Sequence, residues 1–160
     1  MLRLRAASII ALAAAMPVHA ADDADADKAA NDPAIVRMVE SKRVKDCATA
    51  VMEQRKLDTE GAFALMDKLP EADAMRANIH RLLIADTTTD KAEADEFSAN
   101  ASLGEMTTAY MIRAAGTFDL NVLARASAIE AVHLDRALGS NCNPSPDLLE
   151  YTGVPSRANR

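Results

Sequence analysis

Glu130 and His133 stand three residues apart within FDLNVLARASAIEAVHLDRALGSNC, positions 118–142. On a helix that spacing puts a carboxylate and an imidazole on one face, one turn apart. Helical bundles that hold metals with carboxylates use such a Glu-x-x-His pair twice and add a glutamate from each of two other helices. Here the pair occurs once, because His80 has Ala77 rather than an acid three residues before it. Glu40 sits at the border of the apolar stripe expected for an earlier helix and is a further candidate. Two readings follow. One is a reduced transition-metal site built from Glu130 and His133 with Glu40 or His80. The other places both residues at the edge of an apolar arc, reaching water or an arginine. The second is the expectation, since an unpaired buried charge is costly.

Cys47 and Cys142 are the only cysteines. In an oxidising compartment such a pair is expected to bridge. The closed loop would span 142 − 47 = 95 residues, which the chain-entropy argument values at about 4–5 kcal/mol. No Gly-x-Ser-x-Gly, His-Glu-x-x-His, Cys-x-x-Cys or phosphate-binding glycine loop occurs. The methionines at 38, 52, 66, 75, 106 and 111 are spread singly and read as core filler rather than thioether ligands. The chemistry-bearing residues therefore point to no catalytic constellation, no cofactor and a non-enzymatic chain.

Helices must position these residues. Apolar side chains recur at helical spacing over 33–56, 60–68, 71–85, 91–115 and 119–138, and no window alternates with the period of a strand. Asp32 before Pro33, Asp90 with Glu93, and Asp119 read as helix starts; Gly116 and Gly139 read as stops. Gly104 falls inside 91–115 and is expected to bend or split that helix. Val36, Val39, Val44, Cys47 and Val51 are expected to form the inward stripe of the first helix. In the last helix, Leu120, Val122, Leu123, Ala126, Ile129, Leu134, Ala137 and Leu138 fall on the inner half of the cylinder; Asn121, Arg125, Asp135 and Arg136 fall on the outer half.

The chain opens on Arg3 and Arg5, an apolar run from Ala6 to Met16, and Val18-His19-Ala20, the pattern of a Sec-type export signal cleaved after Ala20. The run is too short to span a bilayer, and no later segment is long enough, so no membrane insertion is expected after cleavage. The mature chain would hold 160 − 20 = 140 residues, enough for one domain. Loss of two arginines moves the net charge from −6 to −8, which argues against nucleic acid and anionic lipid as partners.

The organisation expected is a signal at 1–20, a disordered acidic tether at 21–31, a helical domain at 32–142 and a proline-containing tail at 143–160. The fold class is all-α, a single antiparallel bundle of four main helices plus one short helix. Leu148, Leu149, Tyr151 and Val154 in the tail are expected to pack back on the bundle; the alternative makes them a partner-docking cluster. The function expected is that of a small periplasmic or secreted protein that binds another envelope or secreted protein, of inhibitor or immunity type. The metal-binding bundle at Glu130 and His133 is its alternative.

Overall fold

Asp32 accepts a hydrogen bond from Ala34 N at 2.8 Å, and Pro33 fills the first helical position. These two features start α1, Pro33–Gln54, where the sequence places it. The computed structural model describes Lys28 and residues 30–155. Six further helices follow: α2 Thr59–Met66, α3 Ala72–Asp86, α4 Lys91–Asn100, α5 Leu103–Gly116, α6 Leu120–Leu138 and α7 Pro146–Thr152. The described residues contain no strand, so the fold is all-α. The export signal expected at 1–20 lies outside the described residues. Of the acidic stretch at 21–31, Lys28 and Ala30 are helical and Asn31 is in a turn.

The expected helix at 91–115 is two helices, and Gly104 is not the break. Ser102 accepts from Glu105 N at 3.1 Å while Glu105 reaches back to Ser102 N at 2.7 Å, a reciprocal cap that starts α5 after α4 has ended at Asn100. Those bonds hold the Glu105 carboxyl below its usual range. Gly104 does something else. A Cβ there would lie 2.1 Å from Phe63 Cγ, so the missing side chain lets the Phe63 ring of α2 rest on the α5 backbone.

α6 is the central element. It packs on α1, α2, α5 and α7, most extensively on α1. Lys45 meets Glu130 and Arg55 meets the Leu138 carbonyl, so α1 and α6 run parallel. That pair departs from the antiparallel arrangement expected from short loops; the two helices are far apart in sequence, and loop length does not constrain them. Thr107 meets His133, and Tyr110 and Arg125 share Asp86, which sets α5 antiparallel to α6.

The inward stripe of α1 also differs from expectation. Ala34, Ser41, Val44 and Ala48 are buried, whereas Val36 and Val39 are exposed. α6, which packs most extensively on α1, buries Ala124, Ala128 and Ala131. Small side chains on both helices permit close approach, and Val36 and Val39 are left on the flank. From Ala128 onward α6 is enclosed nearly all round, so Asp135 and Arg136, expected outside, are buried, and Leu120, expected inside, is exposed.

Candidate functional site

Cys47 and Cys142 are joined, with Cα atoms 5.9 Å apart. Local backbone chemistry delivers Cys142 to α1. Gly139 ends α6 in the left-handed region (φ +56°), and Asn141 and Asn143, on either side of the cysteine, are left-handed as well. The buried Asp135 carboxylate accepts from Cys142 N at 2.9 Å and Ser140 Oγ at 2.7 Å, which satisfies a backbone donor inside the turn. Arg43 then donates to the carbonyls of Cys142 and Asn143, both at 3.0 Å, and Arg55 donates to Leu138 O at 2.7 Å. The last carbonyls of α6 and its turn are thus held by arginines of α1.

The four candidate ligands go to four different partners. Glu130 accepts from Lys45 Nζ at 2.7 Å. Glu40 accepts from Ser145 N at 2.7 Å and from its hydroxyl at 2.9 Å. His80 Nε2 lies 2.7 Å from Asp95, whose carboxyl is held below its usual range first by Lys91 and then by His80. His133 is fully buried against Thr107. Among the described residues no group of three or more His, Cys, Asp or Glu side chains converges as a metal would need. The structure therefore pairs Glu130 with a lysine rather than with water or an arginine and moves His133 from the edge of the arc to its centre.

His133 can be assigned a tautomer. Thr107 Oγ1 lies 2.8 Å from the Leu103 carbonyl, which can only accept, so the single hydroxyl proton goes there. Nδ1 of His133, 2.9 Å from the same oxygen, must then carry the proton and donate. Nε2 is left as a buried lone pair with no partner among the described residues. Burial, with the Arg136 charge adding to it, pushes the imidazole down to about 3.

Two hollows flank the Lys45–Glu130 pair, and both residues line each of them. The first is an open groove of about 550 Å³ with Ile35, Met38 and Val39 of α1 on one side and Met111 of α5 on the other. Its rim charges are paired internally, Lys45 with Glu130 and Lys42 with Asp46 at 2.5 Å. Val39 is 66% exposed, and Ile112, next to Met111, is 67% exposed. The second is a more enclosed cavity of about 160 Å³ between α1, α2, α5 and α6, walled by Met52, Phe63, Met66 and Leu134 with threonine hydroxyls among them.

The tail cluster packs on the bundle. Leu148 and Val154 are buried in the core, and Leu149 and Tyr151 pack against it. Two guanidiniums lie over the Tyr151 ring, Arg37 at 4.1 Å and Arg125 at 5.2 Å, and its hydroxyl donates to Asn121 O. Arg37 also pairs with Asp147 at 3.0 Å. Apolar burial and stacking hold α7 against the bundle, with Leu149 and Tyr151 left partly exposed.

The groove was not foreseen from sequence, although a signal existed. Ile35, Met38 and Val39 recur at helical spacing out of register with the alanines that α1 buries, and Met111 with Ile112 repeats the pattern on α5. Comparison with family models, with curated proteins and with solved structures finds no match for this chain.

Proposed function

We propose that this is an exported, non-enzymatic binding protein that receives an apolar helical segment of another envelope or secreted protein in the groove between α1 and α5. The observation that carries the reading is the groove itself, with large apolar side chains facing solvent between two helices and charges already paired at the rim. Recognition of an amphipathic helix uses such a surface, with anchors of the incoming helix seated between the walls. Met38 and Met111 supply flexible, polarisable contacts that adapt to a partner. Exposed apolar side chains gathered in one place mark interaction surfaces more often than single ones do. An export signal at 1–20, cleaved after Ala20, places partner and protein in the same compartment, and the disulfide suits it. An inhibitor or immunity role fits a protein that acts by occupying a surface.

The test uses a photo-crosslinking residue at Val39 in the producing cell, with one at the exposed Ala64 of α2 as control. A discrete adduct at 39, absent at 64 and removed by Ile112→Asp in the same chain, is the expected result. Equal adducts at both positions, or none at 39, would refute the groove as the binding face.

A further inference from the structure

We infer that the enclosed cavity between α1, α2, α5 and α6 is a binding site for a small neutral aromatic molecule with one hydrogen-bond donor, the chemistry of a phenol. This goes beyond the groove reading and stands on a different hollow. The volume is about 160 Å³, close to the ~150 Å³ at which an apolar core cavity takes up benzene. Met52, Met66, Phe63 and Leu134 form the walls, and thioether sulfurs pair favourably with ring edges. The Phe63 wall is fixed, because its ring rests on the backbone of Gly104.

Two of the four threonines in the lining, Thr107 and Thr108, favour a ligand that carries a donor. The hydroxyl protons of Thr107 and Thr108 are directed to the carbonyls of Leu103 at 2.8 Å and Gly104 at 3.0 Å. These threonines can therefore offer lone pairs and nothing else, and a ligand must donate to them. Lys45 and Glu130 are the only charged residues of the lining and are paired with each other at 2.7 Å. A charged ring would have to break that pair and leave one partner uncompensated, so a neutral molecule is preferred over a carboxylate or an ammonium of the same shape.

The experiment is a nuclear magnetic resonance titration of the oxidised, full mature chain with phenol, benzoate and benzylamine at pH 7. Phenol is expected to shift the Thr107, Thr108 and Met66 signals saturably, with a Kd of about 1 mM or tighter. Benzoate and benzylamine are expected to bind at least about tenfold more weakly. Ala62→Leu, which fills the buried side of the cavity, is expected to abolish saturation. Thr108 is exposed at the mouth, so Thr108→Val folds normally and is expected to weaken phenol about fivefold; it decides the matter if Ala62→Leu does not fold. Unsaturable shifts, equal binding of the charged rings, or unchanged affinity in Thr108→Val would overturn the proposal.

Discussion

The two halves of α1 meet the rest of the molecule by different means. From the middle of the helix to its C-cap, Cys47 is bonded to Cys142, Arg43 and the capping Arg55 hold three main-chain carbonyls, and Lys45 pairs with Glu130. In the N-terminal half, Ala34 and Ser41 are buried while Val36 and Val39 face solvent beside a groove. Directed bonds occur where the chain leaving α6 must be brought back across α1, since a turn with exposed carbonyls needs donors in fixed places. In the other half Arg37 and Glu40 hold α7 and its cap, while Val36 and Val39 stay unengaged. A fixed end and an available face thus lie on one helix.

The largest effect expected on the fixed end is loss of the disulfide. Cys47 and Cys142 are 95 residues apart, so the Cys47→Ser, Cys142→Ser double variant is expected to lose about 4–5 kcal/mol, much of it through a less constrained unfolded chain. Urea denaturation of both proteins measures it. A loss under about 1 kcal/mol would mean that Arg43, Arg55 and Asp135 fix the turn without the covalent tie.

Asp135→Ala tests the turn with the disulfide intact. It leaves the buried Cys142 N–H unpaired, and a loss of about 2–3 kcal/mol is expected by the same measurement. This variant also separates what the sequence disclosed from what it did not. Helix class, the caps at Asp32, Asp90 and Asp119, the stop at Gly139 and the cysteine pairing were legible, because each depends on near neighbours or on compartment. The burial of Asp135 was not. At helical pitch it falls opposite Ile129 and Leu134, and only the return of Cys142 over α1, a long-range event, encloses it. The same gap hid the parallel α1–α6 pair and the groove, since periodicity shows that a helix has an apolar face but not which of two faces a neighbour will cover.

His133 carries the next effect, and its sign can be worked out. The folded-state imidazole titrates at about 3, whereas in the unfolded chain it titrates near 6.5. Below pH 6.5 the unfolded chain takes up a proton that the folded one refuses, so stability falls as pH falls and levels off only below the folded value. Between pH 7 and 5 the loss attributable to this residue is about 2 kcal/mol. Carboxylates add their own titration lower down, which makes this window the informative one. Denaturation of the wild type and His133→Leu across it is expected to show the slope in the first and a flatter profile in the second. Equal slopes would mean that water or a ligand reaches the bare Nε2 in solution.

The smallest effect sharpens the comparison most, because it sets one valine against another on the same helix. Val44 is fully buried and Val39 is 66% exposed. Val44→Ala removes two methyl groups from the core and is expected to cost about 2 kcal/mol. Val39→Ala and Val39→Asp are expected to stay within about 0.5 kcal/mol of wild type, as surface changes do. Under the groove reading the ranking inverts for binding: Val39→Asp abolishes capture of the partner helix, and Val44→Ala, once folded, leaves it intact. A marked stability loss in Val39→Asp would show that this side chain is covered in the free protein. The N-terminal half of α1 would then be a second fixed end, and the groove could not be the receiving surface.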